Sequence, residues 1–137
     1  MKKLSHHKDE RGIFYELWRG DPPLKIQQVN ISHSKKGVIR GIHFEPWDKY
    51  LHVIQGKILA VIVNSKGTHY KTYELDNTKA LHVPAGKGNS FQALENTIYC
   101  YLITGKWKKN KKYKSLPYNS LKIPWPIKEI IVSEKDL

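Results

Sequence analysis

One short segment of the chain carries two side chains suited to acid–base chemistry. Residues 37–45 read GVIRGIHFE, which places Arg40 and His43 three positions apart beside glycines. Histidine is the usual general base near neutral pH, and the guanidinium fork of arginine matches the oxygens of a phosphate. The spacing predicts proton transfer close to an anionic group. A polar hairpin with a surface histidine explains the same residues without chemistry.

A second segment, residues 81–91, predicts a hairpin whose backbone could approach a ligand. It reads LHVPAGKGNSF, so one strand ends at Pro-Ala-Gly and the next begins at Ser90. Glycine permits positive φ and leaves room for a ligand beside the main chain. A tight hairpin with no ligand is the alternative interpretation.

The third candidate is a carboxylate near the end of the chain, Asp136. Carboxylates in such positions are usually solvated. Asp136 would take part in chemistry only if the preceding apolar run, residues 130–132, brings it inward to orient a histidine.

The charge balance favours anionic partners. The chain has 24 Lys and Arg against 12 Asp and Glu, giving a net charge of +12, and such a balance is typical of proteins that bind nucleic acid, acidic lipid or phosphorylated molecules. Residues 106–114, KWKKNKKYK, interleave lysines with Trp107 and Tyr113. This pattern suits stacking on a single-stranded nucleic acid, although a solvated lysine-rich loop is the commoner explanation.

Length and composition predict one globular domain. The chain has 137 residues, of which 39% are hydrophobic, enough for a core. It has no apolar run of the roughly 20 residues that a membrane helix needs, and its basic N-terminus lacks the apolar stretch of a secretory signal. The single cysteine, Cys100, cannot form an internal disulfide, so a reducing cytoplasm is the expected compartment.

The hydrophobic pattern predicts an all-β fold. Short apolar and β-branched runs alternate with turn residues, and no window shows a sustained 3.6-residue period. The expected core strands are residues 50–54, 57–64, 70–75, 80–83, 90–94 and 98–104. This pattern is typical of an antiparallel jelly-roll sandwich or barrel with little helix.

Six segments, taken in order, resemble the dTDP-4-dehydrorhamnose 3,5-epimerase family. The chain is similar to the family patterns D-x-R-G-x-F-x-E at 9–16, Q-x-N-x-S-x-S at 28–34, G-V-[LI]-R-G-[LI]-H at 37–43, I-P-x-G-x-x-H-G-F at 83–91, L-x-I-x-W-P at 121–126 and S-x-K-D at 133–136. Each motif is weak alone, but six in the right order are specific.

The resemblance implies a cupin-like homodimer that epimerises a 4-keto-6-deoxy sugar linked to a nucleotide, expected to be dTDP. His43 would remove a proton next to the keto group while Asp136 orients it, and Arg40 and Lys49 would stabilise the enolate. The family needs no metal or cofactor, because the keto group already acidifies that proton. The resemblance also implies that five residues line the nucleotide-sugar site: Arg11, Phe14, Glu16, Gln28 and Asn30.

Three positions depart from the family pattern. The histidine of the second hairpin is Asn89, the aspartate that opens a core strand is Ala60, and the acid tyrosine is Trp107. Tryptophan has an N–H donor but cannot shuttle a proton, so Trp107 would close that face or stack on the substrate. Tyr101 or water would then be the donor. The open alternatives are epimerisation at one centre and a binding or isomerase relative with reduced activity.

The expected organisation is a single cupin-like domain over residues 1–137. Residues 9–30 would form N-terminal strands in contact with a partner subunit, 37–104 the core barrel, and 105–137 an extension that returns to the site. A metal site is not expected, because His43 and Glu45 are too few ligands once Asn89 replaces a histidine. The six ordered motifs also argue against a nucleic-acid-binding domain.

Overall fold

The computed structural model describes residues 1–19 and 25–137. Within these ranges the chain forms twelve strands and one 3-10 helix. The strands are β1 (Lys2–Lys3), β2 (His7–Asp9), β3 (Gly12–Phe14), β4 (Gln28–Ser34), β5 (Ile39–Phe44), β6 (Lys49–Gln55), β7 (Ile58–Val63), β8 (Tyr70–Leu75), β9 (Lys79–Val83), β10 (Gly88–Ala93), β11 (Thr97–Ile103) and β12 (Lys114–Ser115), and the helix is Glu134–Asp136.

Two five-stranded antiparallel sheets face each other. The first has the order β1-β9-β6-β11-β4, and the second has the order β12-β5-β10-β7-β8. The six core strands expected from the sequence are β6 to β11, and each begins and ends within two residues of its predicted bounds. The all-β, jelly-roll prediction is therefore confirmed.

The main core fills the space between the sheets. Strand side chains alternate between the two faces of a sheet, and one face of each sheet contributes to this cluster. Its members are Leu51, Val53, Ile58, Ala60, Leu75, Leu81, Val83, Phe91 and Tyr99. Ala60 is fully buried among these residues, so β7 presents an apolar wall.

A second core lies between the other face of the β5-containing sheet and the C-terminal extension. It contains Ile39, Ile42, Phe44, Val61, Val63, Ile123 and Trp125. Because β7 is covered on both faces, its sequence is apolar without alternation. Burial of a large apolar side chain such as Ile123 stabilises the fold by about 1.5–3 kcal/mol, which fixes the extension against the sheet.

Backbone hydrogen bonds then tie the end of the extension to β5. The Ile39 N–H donates to the Ile131 carbonyl at 2.9 Å, and the Ile131 N–H donates to the Gly37 carbonyl at 3.2 Å. These contacts place the helix Glu134–Asp136 beside β5. The apolar run before Asp136 therefore does bring that carboxylate inward, and Asp136 is only 5% exposed.

The hairpin β2–β3 forms a separate two-stranded sheet. All six of its strand residues are exposed, including the large apolar side chains of Ile13 and Phe14. The segment 9–30, predicted to contact a partner, begins in this hairpin and ends in β4. Its residues 20–24 lie outside the described part of the chain. No helix among the described residues is long and apolar enough to cross a membrane.

Candidate active site

The position of His43 depends on a close approach between β5 and β10. Gly41 has φ of +97°, and a Cβ at this residue would lie 2.5 Å from the Asn89 carbonyl oxygen. Only glycine fits there, since the φ is one that side chains disfavour and the space is occupied by backbone. Two residues later, His43 pairs directly with Asn89 across the two strands.

Asp136 contacts His43 as the sequence predicted. His43 Nε2 lies 2.9 Å from Asp136 Oδ1, while the Gly41 N–H and the Ser133 hydroxyl each donate to Asp136 Oδ2 at 3.3 Å. The carboxylate thus accepts the Nε2 proton, which selects the tautomer with a free lone pair on Nδ1. Nδ1 is then the atom that can accept a proton from a substrate.

His43 lies between two adjoining cavities of about 510 and 200 Å³. The larger volume is within the range of pockets that hold small ligands. Four residues line both cavities: His43, Glu45, Trp107 and Asp136. The larger cavity is also lined by Ser32, Arg40, Lys49, Asn89, Phe91, Tyr99, Tyr101 and Ser133, and the smaller by Tyr113, Lys114 and Ser115.

Lys49 is a buried cation in the wall of the larger cavity. Its side chain is 5% exposed, and its Nζ lies 2.5 Å from Glu45 Oε1, a carboxylate that is itself 14% exposed. An ammonium has three N–H donors, so this ion pair leaves donors that can reach a substrate oxygen.

Tyr101 presents a protonated phenol to the same cavity. Burial raises the pKa of Tyr101, and the negative charge of Glu45 raises it further, while Arg40 and a hydrogen bond with Asn30 act in the opposite direction. The net shift is upward, so Tyr101 holds its proton at neutral pH. A protonated phenol is what a general acid requires.

Asn89 and Arg40 complete the polar wall near His43. Asn89 is 9% exposed. The Arg40 guanidinium is oriented by two bonds, from Nε to Ser34 Oγ at 3.0 Å and from a terminal nitrogen to the His33 carbonyl at 3.3 Å. The remaining donors of Arg40 suit an anionic group of a ligand.

Trp107 stands at the junction of the two cavities. Its side chain is half-exposed, and its backbone N–H donates to Gln28 Oε1 at 2.9 Å. Gln28 in turn donates to Asn30 at 2.8 Å. Gln28 and Asn30 therefore support the cavity through Trp107 and Tyr101, although neither lines it.

Arg11, Phe14 and Glu16, also predicted to bind substrate, lie away from the two cavities beside His43. Arg11 and Phe14 belong to the projecting β2–β3 hairpin, and Glu16 follows it. Arg11 is paired with Asp9, and Glu16 is paired with Arg19. The physical reason is that the hairpin extends away from the sandwich rather than folding over its mouth.

Several residues that line the two cavities are not among the site residues predicted from the sequence. Phe91 and Tyr99 read as core residues, and their rings do pack at 4.6 Å. Ser32 lies inside the motif 28–34 and Glu45 follows the motif 37–43 by two residues, but the resemblance implies no substrate contact for either. Tyr113, from the lysine-rich segment, packs its ring edge-on to Trp47 at 5.3 Å. The signal that singles it out is that Tyr113 and Trp107 are the two aromatic residues among the lysines of 106–114.

Among residues 1–19 and 25–137, no three His, Cys, Asp or Glu side chains come together in a way that could hold a metal ion. The polar groups around His43 are instead a carboxylate, an ammonium, an amide and a phenol. They suit proton transfer next to a carbonyl oxygen.

Comparison with known proteins identifies the family. The family model for dTDP-4-dehydrorhamnose 3,5-epimerase matches residues 1–137. The chain belongs to the dTDP-4-dehydrorhamnose 3,5-epimerase family. The resemblance read from six short motifs is confirmed, and with it the assignment to a family of enzymes.

Individual relatives of this epimerase family agree in sequence and fold. The RmlC homolog of Streptococcus pyogenes serotype M6 is 36% identical, over 85% of this chain and 70% of its own. A dTDP-4-dehydrorhamnose 3-epimerase of Streptomyces niveus is 30% identical, over 93% of this chain and 72% of its own. The structure of RmlC from Streptococcus suis in complex with dTDP-D-xylose superposes with a TM-score of 0.87 at 34% identity, covering 98% of this chain and 80% of that one.

Proposed function

We propose that this chain epimerises a dTDP-linked 4-keto-6-deoxy sugar at C3, C5 or both, with His43 as the base. The observation that carries the proposal is the contact between His43 and the buried Asp136 at the edge of a ligand-sized cavity. Family membership supports the reaction class, and the dTDP-sugar in the Streptococcus suis relative supports the nucleotide.

The reaction begins when His43 removes the proton next to the keto group. The C–H bond breaks, the proton moves to Nδ1, and the electron pair becomes the enolate C=C–O⁻. Asp136 stabilises the imidazolium that forms, because its carboxylate already accepts the Nε2 proton. No electrons leave the substrate, so the step needs no oxidant.

Lys49 supports the enolate in this proposal. The negative charge that develops on the keto oxygen is met by a buried ammonium, whose interactions are stronger in a site that excludes water. Arg40, in the same cavity, supplies donors for a phosphate or a sugar oxygen. Asn89, next to His43 across β5 and β10, supplies an amide for a sugar hydroxyl.

Tyr101 is the proposed acid. A new C–H bond forms on the opposite face of the enolate with the phenol proton. The phenolate then takes a proton from solvent, and the His43 imidazolium releases the proton it removed to solvent. Trp107 replaces the family tyrosine, and its indole cannot perform this step. This replacement supports a second candidate function, an epimerase with slow inversion. In that case His43 would exchange the proton on one face of the sugar faster than Tyr101 inverts the carbon centre.

The smaller cavity suits the nucleotide end of the substrate. Trp107 and Tyr113 line it together with Lys114. Aromatic faces stack on a base, and a lysine nearby favours phosphate. This assignment gives the lysine-rich segment 106–114 a role in binding a nucleotide sugar rather than a nucleic acid.

We propose a homodimer in which residues 9–30 contact the partner subunit. A two-stranded hairpin is marginally stable alone, and β2–β3 exposes Ile13 and Phe14. The edge strand β4 also exposes Val29 and Ile31. An interface that covers these side chains would place Arg11, Phe14 and Glu16 against the partner, where they could line its site. Within each subunit, residues 37–104 would form the barrel and residues 105–137 would return to the site.

Sedimentation tests this assembly. A dimer is expected at micromolar concentration, with an interface well above about 1,000 Å². Ile31→Lys should weaken it, whereas Thr72→Lys, which adds the same charge on the exposed face of β8, should not. A wild-type monomer at that concentration would contradict the proposal.

We place the protein in the cytoplasm, since its lone cysteine, Cys100, is a free thiol.

The reaction is tested by deuterium incorporation. The wild-type protein is incubated in heavy water with a dTDP-linked 4-keto-6-deoxy sugar, and each carbon of the sugar is followed by NMR. We expect deuterium at C3, C5 or both, and slower incorporation when the same sugar is linked to UDP. A substrate that keeps all its protons would overturn the proposed function.

A further inference from the structure

Glu45 is a charged side chain in the cavity wall that the proposed reaction leaves without a role. It follows β5 directly and lines both cavities beside His43. Its backbone carbonyl accepts the Gly86 N–H at 3.0 Å, which fixes the main chain against the second hairpin. Its carboxylate contacts Lys49 Nζ at 2.5 Å.

The burial of this ion pair costs hydration free energy, which points to a role in the site rather than in the stability of the fold. Each charged group that leaves water loses several kcal/mol of hydration, and the attraction between the partners only offsets that loss. The Glu45 and Lys49 side chains are 14% and 5% exposed. A well-packed apolar pair would stabilise the fold as well, so the location of the charges points to the cavity they face.

The carboxylate can act on two groups of the proposed mechanism. It occupies one donor of the Lys49 ammonium and leaves the others for the keto oxygen. Its negative charge also raises the pKa of Tyr101, on top of the effect of burial. The other ionisable groups that line the same cavity are Arg40, His43, Lys49, Tyr99 and Asp136, and of these Arg40 lowers the pKa of Tyr101.

We propose that Glu45 is a positioning residue for this reaction: its charged carboxylate holds the Lys49 ammonium in place for the enolate oxygen, in the cavity that Tyr101 also lines. The inference rests on the proposed function, in which Lys49 and Tyr101 touch the substrate. Glu45 itself moves no proton to or from the sugar.

A double-mutant cycle tests the action of Glu45 through Lys49. Glu45→Gln should lower kcat for deuterium incorporation about 10-fold with little change in KM, a loss within the range of coupling between contacting residues. In a Lys49→Met background the same change should cause no further loss. Glu74→Gln, on the exposed part of β8, is the matched control and should leave kcat unchanged. Equal losses in both backgrounds, or no loss in either, would overturn the proposal.

Thermal unfolding supplies a readout that needs no substrate. Glu45→Gln should lower Tm in the wild-type background, because Lys49 then lacks its counter-ion. With Lys49→Met it should raise Tm, because it removes an uncompensated buried carboxylate. A fall of the same size in both backgrounds would show that Glu45 acts on stability without Lys49 and would count against the proposal.

Titration of tyrosine in the free protein separates this inference from the proposed function. The Tyr101 signal is followed by NMR with ¹³C-labelled tyrosine and assigned from its loss in Tyr101→Phe. Glu45→Gln should lower the pKa of Tyr101, and Glu74→Gln should not. An unchanged Tyr101 titration would show that Glu45 holds no negative charge in this cavity, and it would overturn the inference even if the protein exchanges deuterium. An inactive wild-type protein refutes the proposed function and, with it, the catalytic role of Glu45, whichever way Tyr101 titrates.

Discussion

His43 and Asp136 lie 93 positions apart in the chain, yet their side chains meet at 2.9 Å. The contact exists because the C-terminal extension buries Ile123 and Trp125 against the β5-containing sheet and ends in a short helix beside β5. Asp136 is held there by Gly41 and Ser133 as well. These contacts place residues 133–136 in the wall of the candidate site.

Replacing the orienting carboxylate should reduce catalysis while leaving the fold intact. In Asp136→Asn the side-chain amide can donate to Nε2, which favours the tautomer with its proton on Nδ1, the atom that must accept one. Deuterium incorporation should fall by about 10²–10⁴-fold, the range of positioned acid–base catalysis. Asp48→Asn is the control, since Asp48 contacts another histidine, His82, at 3.0 Å. A wild-type rate in Asp136→Asn would refute the orienting role.

The role of Tyr101 as the general acid is tested by removing its hydroxyl. Tyr101→Phe should abolish inversion and leave deuterium exchange on the His43 face largely unchanged, because the two faces use different groups. Tyr70→Phe removes a hydroxyl that donates to the Lys122 carbonyl; Tyr70 lines neither cavity, so this change should alter neither rate. Chiral analysis of the product sugar separates the two rates. If inversion survives in Tyr101→Phe, another donor supplies the proton.

Restoring the family tyrosine should speed inversion. Trp107 lies at the junction of the cavities, so Trp107→Tyr places a phenol where the family has its acid. We expect the ratio of inversion to exchange to rise, since a positioned acid contributes about 10²–10⁴-fold. Trp107→Phe controls for the smaller ring. If the wild-type protein already inverts with kcat of about 1–10³ per second, Trp107 does not mark a weakened acid side.

Stability should depend on the protonation of a buried histidine. His52 is 2% exposed and lies 2.6 Å from the Tyr15 hydroxyl. Burial lowers its pKa below the ordinary 6.5, so the unfolded chain binds the proton more readily than the folded one. The free energy of unfolding should therefore be highest above pH 6.5 and fall as the pH drops through the folded-state pKa.

The free energy of unfolding of wild type and of His52→Gln is measured by chemical denaturation between about pH 5 and about pH 8. The variant should lose part of the pH dependence, whereas His69→Gln, at an exposed position, should retain all of it. An identical slope in wild type and His52→Gln would contradict the prediction.

The sequence predicted the strands well because their signals are local. The runs that became β6 to β11 carry β-branched residues bounded by turns, and sheet packing keeps such runs extended. The contact of His43 with Asp136 followed from motif order rather than from any local pattern. The position of Arg11 and Phe14 did not follow from the sequence, because their motif gives no signal that they lie in an exposed hairpin apart from the two main sheets.

Glu45 and Tyr113 show a second limit of prediction from the sequence. Glu45 lies in a segment that a polar hairpin explains, and Tyr113 lies in one that a lysine-rich loop explains. Only the folded chain shows that both line a cavity next to His43. Periodicity assigns a residue to a face of a strand, but it does not identify the groups that face it from another sheet. The Glu45–Lys49 pair, four residues apart, reads as an ordinary surface ion pair until burial is known.

The most direct test of the account is the exchange rate in the absence of the base. Wild type, His43→Ala and the control His82→Ala are incubated in heavy water with a dTDP-linked 4-keto-6-deoxy sugar, and deuterium at C3 and C5 is measured by NMR. The account predicts that His43→Ala loses about 10²–10⁴-fold of the exchange rate and that His82→Ala exchanges like wild type. Exchange at the wild-type rate in His43→Ala would contradict it and would show that another group removes the proton.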